Sequence, residues 1–600
     1  MALRKLWRFS EGVLTHPRLP LRLALLAALL TLPSLGVGLL VDDYNHKLLV
    51  QHPESPVGLG SAPWDMFRWF DGNPQHTGAL VDLGVLPWWT QVNLVNAKGA
   101  FWRPIASITH WFDYRFWPQT PALMHAQSIA WYALLVGVCA IFYRRMMGFG
   151  VAAGLAALLY AIDSVHATPI VFLANRNALI AGVFGAACLI AHERWRRAGW
   201  GVGAVMGPLL LALALLAKEE AIATCAYLAA FAAFLDDAPW RRRVASLVPY
   251  GLVVIVWRVT WLHLGYGVAH VSFYTDPLQE PVRFAFALVQ RPAILLLSQL
   301  TSVPAELSMI SQGAQRTWLV LAAWLVLAGV AVVMRPLVRS QRVAKFWLAG
   351  MLLSLLPAST AWPSDRMLLF IGLGAMGLIA ELVVAVFSRA WPAGWLRPTA
   401  AYALAGVLLV VHVAVAPLAL AGRTAVLMVV RPYLESLYLH DPLDRAIERQ
   451  DLVVVNPPSS FMMLLPPFVW AGEGAPMPRH MRVLCSSNFF PVEVERTDER
   501  TLVVRPATGY LATDLDGPPC VFKVGQHVHL TGMDAEITAV TPDGRPLAVA
   551  FRFAVPLEDA SLRWLQWSRG QFQSFTPPPV GATIVLPANW RDAFASPQHK

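Results

Sequence analysis

The fold class this sequence predicts is a mainly α-helical, polytopic membrane protein of about eleven transmembrane helices, followed by a C-terminal β-rich soluble domain. Three observations predict it. Hydrophobic residues make up 56% of the 600 and charged residues only 14%, with a mean hydropathy of +0.51, a composition outside the soluble globular range. The apolar residues are gathered into runs of about twenty, the length that crosses a ~30 Å hydrocarbon layer as a helix. These runs stop near residue 425, after which short β-branched stretches alternate with Pro- and Gly-bearing turns. The expected domains are 1–425, a membrane domain that includes an extracytoplasmic loop 43–120, and 426–600, an extracytoplasmic β-rich domain.

Taken in order, the head from Arg4 and Lys5 to Arg22 is basic and precedes the first apolar run, which keeps it on the cytoplasmic side. Residues 21–40 carry Arg22 alone as a charge and lack a small-residue cleavage site, so the run reads as an anchor rather than a signal peptide. It ends abruptly in Asp42-Asp43. The loop 43–120 is longer than a connector requires. Its segments 64–70 and 105–117 set large aromatics beside charges, the composition of helices lying in the membrane interface.

From Pro121, runs at about 122–143, 149–166, 170–192, 200–217, 221–236 and 245–265 alternate so that Arg144-Arg145, Arg194 to Arg197 and Arg241 to Arg243 share one face, the cytoplasmic one. Runs at about 317–334, 345–363, 366–387 and 399–421 continue the alternation, with Arg335, Arg339, Arg342, Lys345, Arg389 and Arg397 on that same face. The segment 281–304 contains Arg283 and Arg291-Pro292, and as a crossing it inverts every later basic cluster. It is therefore read as an interfacial or re-entrant helix. Eleven spans result, with the N-terminus inside and the C-terminus outside.

In the C-terminal part, Leu452 to Val455, Thr501 to Val504 and Glu536 to Val540 read as strands, and Pro542-Asp543-Gly544-Arg545 turns into Leu547 to Phe553 as a hairpin. Trp564, Trp567, Phe572 and Phe575 read as core or membrane-contact residues rather than a sugar-stacking platform. Cys139, Cys188 and Cys225 lie within apolar runs as small hydrophobes. Cys485 and Cys520 are able to form one disulfide if their domain is extracytoplasmic. The net charge of +10 sits in the inter-span clusters, which excludes nucleic acid as a partner.

With sides assigned, Asp42, Asp43, Arg103, His110, Asp163, His166, Asn175, Arg176, Lys218, Glu219, Glu220, Asp365 and Arg366 all fall at run ends on the outer face. Ionisable groups at membrane depth are costly and persist where they pair or line a cavity. A carboxylate base combined with Arg and Lys suits a lipid phosphate, whose tail stays in the bilayer. A structural network of buried ion pairs is the competing reading, above all for Lys218 with Glu219 or Glu220.

The order Asp42-Asp43, Trp102-Arg103-Pro104-Ile105, His110 to Tyr114, Pro121 to His125, His166, Asn175 to Leu179, Leu216-Ala217-Lys218-Glu219 and Asp365-Arg366 resembles the membrane half of GT-C glycosyltransferases. The likeness is to the tetratricopeptide-containing transmembrane O-mannosyltransferases and their bacterial relatives, over roughly residues 20–390. It implies inverting transfer of a sugar from a polyprenyl-phosphate donor to an extracytoplasmic protein, lipid or envelope glycan. Asp42 or Asp43 is then the catalytic base, with Asp42 preferred. Arg176, Lys218 and Arg366 bind the donor phosphate, supported by Arg103, His110, His166, Asn175 and Glu219. His166 is a phosphate donor or a partner of Asp163.

The sequence departs from that pattern. Thr168 stands where the relatives carry an acid and Asp163 where they carry His, which weakens any metal site there; no cofactor is required, and a divalent metal has no support. No tetratricopeptide array follows the last span. The expected partners are the lipid-linked donor, membrane lipids and an unidentified acceptor, in a bacterial inner membrane. The alternatives are a transporter or flippase of lipid-linked sugars, or a non-catalytic scaffold of envelope-polysaccharide assembly.

Overall fold

The computed structural model describes residues 11–271, 273–311, 313–388, 391, 398–440, 443–486, 490–511 and 521–588. Arg4, Lys5, Arg389, Arg397 and Cys520 lie outside them, and with Cys520 the disulfide expectation. The chain divides into two compact units: Met1–Leu39, Phe101–Tyr266 and Phe273–Met428 form the first; Leu40–Ala100, Gly267–Ser272 and Val429–Lys600 form the second. The loop expected at 43–120 is thus divided, its first part belonging with the C-terminal region and residues 101–120 with the helices.

The first unit is helical because its apolar runs are long enough to bury or bilayer-match every backbone group internally. Each of the eleven apolar runs corresponds to a helix, from Leu19–Thr31 with its continuation Leu32–Gly36 to the long segment Thr399–Ser436. Among the described residues nine helices are long and apolar enough to cross a membrane. Proline occupies the first turn of Pro104–Phe116, Pro121–Met147 and Pro281–Thr301, where its missing N–H costs nothing. Gly199, at φ +66°, ends Arg176–Ala198.

The helix Pro281–Thr301 bears on one expectation. It continues through Pro292 for 21 residues and is long and apolar enough to be a span. The expectation of an interfacial or re-entrant helix rested on parity, since a crossing here inverts every later basic cluster; within the helix both arginines are paired. Arg283 binds Glu280, and Arg291 donates to the Ser359 carbonyl at 2.7 Å.

Leu369–Phe387 is the packing centre of this unit, 89% of its apolar window being buried, whereas Gly313–Ser340 buries only 11%. A helix that apolar on nearly every exposed side is suited to lipid, not water. Close approach at the centre depends on small residues: a Cβ on Gly350 would lie 2.3 Å from the Tyr227 ring. Buried tyrosines satisfy their hydroxyls on helix carbonyls, Tyr227 on Phe370 at 2.5 Å and Tyr143 on Leu373 at 2.6 Å.

The second unit holds three sheets. β1 (Arg68–Asp71), β2 (Lys98–Ala100) and β3 (Gly267–Ala269) pair antiparallel in that order. Residues 64–70 are therefore turn and strand, not the expected interfacial helix, because Arg68 to Asp71 find ladder partners far away in sequence. The segment at 105–117 is the helix Pro104–Phe116, with Ile108, Phe112 and Phe116 exposed.

The strands after residue 450 are β4 (Asp451–Val454), β5 (His480–Val483), β6 (Val492–Arg496), β7 (Thr501–Pro506), β8 (His527–Leu530), β9 (Met533–Val540), β10 (Pro546–Phe553), β11 (Leu562–Ser568), β12 (Gln571–Ser574) and β13 (Thr583–Leu586). They make a sheet β13-β6-β7-β10-β9-β8 and a second, β12-β11-β4-β5. The β9–β10 hairpin turns through Gly544 at φ +80° as its sequence predicts. In the second sheet β4 runs parallel to both β5 and β11, and the helix Leu465–Glu473 lies between β4 and β5 in sequence. Trp564, Trp567 and Phe575 are buried, which places them in the core.

Candidate functional site

Arg176 opens the helix Arg176–Ala198, and its side chain is fully buried against an equally buried Asp113, Nη1 to Oδ2 at 2.5 Å. Its remaining donors are directed to Ser128 Oγ at 2.9 Å, the Met124 carbonyl at 2.8 Å and Gln127. Asp113 also accepts from Trp117 Nε1 at 3.1 Å. This is a closed ion pair, and removing one partner strands the other. The side chain expected to bind the donor phosphate is thus enclosed by protein groups.

Two of the expected supporting histidines are also packed into the first unit. His110 is fully buried with its ring beside Tyr114 at 6.5 Å. His166 lies 3.2 Å from the Tyr132 hydroxyl through Nδ1 and has Tyr160 against its ring at 4.6 Å. Asp163 is not its partner. Asp163 accepts from Gln299 Nε2 at 2.7 Å and caps Val165 N.

Three other cations converge. Arg103, just before the helix Pro104–Phe116, binds Glu219 Oε2 through Nη2 at 2.8 Å and lies over the Phe101 ring at 4.5 Å. Lys218, in the break after Gly203–Ala217, has its Nζ 2.5 Å from Glu220 Oε2. Arg366, in the short turn Asp365–Met367, donates to Asn175 Oδ1 and to the Tyr274 hydroxyl, each at 3.3 Å, and lies over Trp362 at 5.5 Å. Lys218 feels both Arg366 and Arg103 electrostatically, so the three share one locality. Burial depresses the Lys218 amine first; Glu220 opposes this, and the two arginines depress it further.

Three chain breaks position these groups, since a helix interior turns its polar atoms inward while a break frees them. Lys218 has extended backbone at φ −161°. Arg366 follows residues 360–362, which bridge to residues 273–275: Thr275 N donates to Thr360 O at 2.7 Å and Trp362 N to Phe273 O at 2.9 Å. Arg103 and Lys218 are paired with Glu219 and Glu220, and Arg366 lies in the same locality. A cluster of cations of this kind suits an anion.

Sequence reasoning missed Tyr274 and Trp362 here, and it missed Arg423. Arg423 pairs with Asp365 at 2.5 Å, and Asp365 also accepts from Ser298 and Ala305 N. Asp365 therefore holds the turn that carries Arg366. No residue pattern marked Tyr274; its polar, aromatic neighbourhood after a helix end was the available signal.

The acidic pair belongs to the second unit. Asp42 and Asp43 occupy the first turn of the helix Asp42–Gln51, where carboxylates complement the helix dipole. Asp43 is fully buried, its Oδ2 accepting from Leu40 N at 2.9 Å, while Asp42 is half-buried. Val41 just before them has φ +33°, a conformation unfavourable for a β-branched residue. Such strain gathers at functional turns. Next in the helix, the Tyr44 hydroxyl lies 2.9 Å from that of Tyr438 and burial pushes it up to about 12.

Among the described residues no group of three or more His, Cys, Asp or Glu is arranged to hold a metal ion. No protein-family model and no curated protein matches the chain. Among solved structures it is similar to the Archaeoglobus fulgidus oligosaccharyltransferase, crystallised with a disulfide-tethered acceptor peptide containing the NVT sequon, at 13% identity and a TM-score of 0.39. The match covers 78% of this chain and 64% of that one, so the chain spans less than two thirds of that enzyme's length.

Proposed function

We propose that this protein is a GT-C-like membrane glycosyltransferase that moves a sugar from a polyprenyl-phosphate donor to an extracytoplasmic acceptor, with inversion. The observation that carries the reading is the convergence of Arg103, Lys218 and Arg366 in one locality at chain breaks. A phosphodiester-linked sugar is an anion, and Arg supplies a planar fork of donors for it. The motif order in the sequence supports the same reading.

In the proposed step Asp42 takes the proton of the acceptor nucleophile, which forms the new glycosidic bond at the anomeric carbon. The bond from that carbon to the phosphate oxygen breaks, and both electrons leave with the lipid phosphate. Arg366, Lys218 and Arg103 stabilise the charge that develops on it. Asp42 is preferred to Asp43 because it is half-buried, whereas Asp43 is sealed against Leu40 N. Asp43 then holds the strained turn in shape. The expected location is a bacterial inner membrane, with this chemistry on the extracytoplasmic side.

The test is sugar transfer by the purified full chain in nanodiscs. Asp42→Asn keeps size but cannot take a proton, and turnover falls about 10²–10⁴-fold with donor binding retained. Normal transfer by Asp42→Asn, Asp43→Asn and the double variant returns the pair to a helix-end role and brings transport or scaffolding forward.

A further inference from the structure

The cation cluster contains two acceptors that a phosphate does not use. Glu219 engages Arg103 through Oε2, and its Oε1 is buried with no hydrogen-bond partner among the described residues. Glu220 engages Lys218 through Oε2, and its Oε1 is likewise buried and without a partner among them. The Glu220 side chain is only 4% exposed. A buried carboxylate oxygen left unpaired is costly, about 1–3 kcal/mol or more for a charged group, so each such group in a native fold calls for an explanation.

We propose that the Oε1 atoms of Glu219 and Glu220 accept hydrogen bonds from hydroxyls of the transferred sugar, making this dipeptide the sugar-recognition subsite beside the phosphate-binding cations. The assignment rests on the proposed donor site and names what part of the donor sits next to it. In a donor whose sugar is joined directly to phosphate, the hydroxyl-bearing ring lies within one bond of the group that Arg366 and Lys218 hold. Hydroxyls are neutral donors that need only an acceptor. A divalent cation is the poorer occupant, because Arg103 and Lys218 already hold positive charge against these carboxylates.

The subsite also rejects. A uronic acid ring brings a carboxylate against Glu219 and Glu220, and a like charge placed at a desolvated acid is a repulsive device against the wrong substrate. The donor class is therefore a neutral, hydroxylated sugar phosphate.

The experiment measures binding to the full chain in nanodiscs, using farnesyl phosphate, farnesyl phosphoglucose, farnesyl phosphoglucuronate and the tetrahydropyranyl ester of farnesyl phosphate, whose ring has no hydroxyls. Wild type should prefer the glucose compound over the other three by about 10-fold or more, since two hydrogen bonds to charged acceptors are at stake. Glu219→Gln and Glu220→Gln should shrink the preference for glucose over glucuronate, while farnesyl phosphate binds as well as before or better. The wild-type comparison with the hydroxyl-free ring needs no variant, so a misfolded Gln protein does not blunt the test. Equal binding of the glucose and hydroxyl-free compounds overturns the assignment. A glucose preference that appears only with added Mg²⁺ or Mn²⁺ and vanishes with EDTA overturns it too, giving the carboxylates to a metal. Farnesyl phosphate that binds wild type and Arg366→Ala equally removes the phosphate site itself, whereas its selective loss in Arg366→Ala, with sugar preference unchanged in both Gln variants, removes only the hydroxyl assignment.

Discussion

Arg176 and Arg366 occupy comparable places in the sequence, each at the start of a helical run where polar residues interrupt an apolar stretch, and the structure puts them to different uses. Arg176 is surrounded by Asp113, Ser128, Gln127 and the Met124 carbonyl and is fully buried. Arg366 is half-buried, held by two long hydrogen bonds to Asn175 and Tyr274 and placed over Trp362. Its nearest carboxylate in sequence, Asp365, is taken by Arg423. A buried cation enclosed with a dedicated carboxylate maintains the fold; a half-buried cation at a chain break is the one that a ligand can reach. The difference lies in what the partners are, and a run-end arginine by itself does not reveal it.

The largest effect expected from this contrast is on stability. Arg176→Met leaves Asp113 buried with its charge unmatched, and breaking such a pair costs about 3–5 kcal/mol. The measurement is thermal unfolding in detergent or nanodiscs, and the variant should be recovered poorly or melt far below wild type. Arg176→Met that is stable yet weak in donor binding would reverse the assignment of the two arginines.

Next come the cluster cations. Arg366→Ala and Lys218→Ala should each weaken donor phosphate binding by about 1–3 kcal/mol, the range of a charged hydrogen bond, with a much smaller change in melting temperature than Arg176→Met. Binding of a lipid phosphate to both variants, run beside their unfolding curves, separates the two roles. Unchanged binding with lowered stability would extend the Arg176 kind of network to this cluster.

A pH profile sharpens the same point for Lys218. Burial lowers the affinity of its amine for a proton, so the charged form is complete below the depressed value and is lost as pH rises through it, earlier than for a solvated lysine. Donor affinity should fall over that interval. Lys218→Arg keeps its charge throughout and should flatten the decline. A decline identical in wild type and Lys218→Arg would assign the titration to another group.

Much of the helical unit was legible because run length and apolar composition are local properties: each of the eleven runs became a helix, and the Pro542 to Arg545 turn became a hairpin. What was not legible depended on partners distant in sequence. Residues 64–70 gave no sign that Arg68 to Asp71 would pair with Lys98–Ala100, nor did Asp113 show that it would be taken by Arg176. The parity count set 281–304 aside because a crossing there inverts every later basic cluster, and the pairing of Arg283 and Arg291 is visible only in three dimensions. In the site, Lys218, Glu219, Arg366, Arg103 and Asn175 were found as ionisable or polar residues at breaks. Tyr274 was not, since its role depends on the bridge that brings residues 273–275 to 360–362.

Tyr274 supplies the smallest and most specific test. Its hydroxyl lies 3.3 Å from Arg366 Nη2 and its ring sits against Phe101 at 5.0 Å, so Tyr274→Phe removes one hydrogen bond and keeps the packing. A neutral hydroxyl bond contributes about 0.5–1.5 kcal/mol net, and the guanidinium retains Asn175 and the Trp362 ring. Tyr274→Phe should therefore weaken donor binding about 2–10-fold with melting temperature unchanged. If Tyr274 only packs, Phe is an equal replacement and donor binding does not move. If it orients Arg366, combining Tyr274→Phe with Arg366→Ala should add nothing to Arg366→Ala alone, because the group being oriented is already gone. Full additivity in that double variant would mean that Tyr274 meets the donor directly and that the hydrogen bond to Arg366 is incidental.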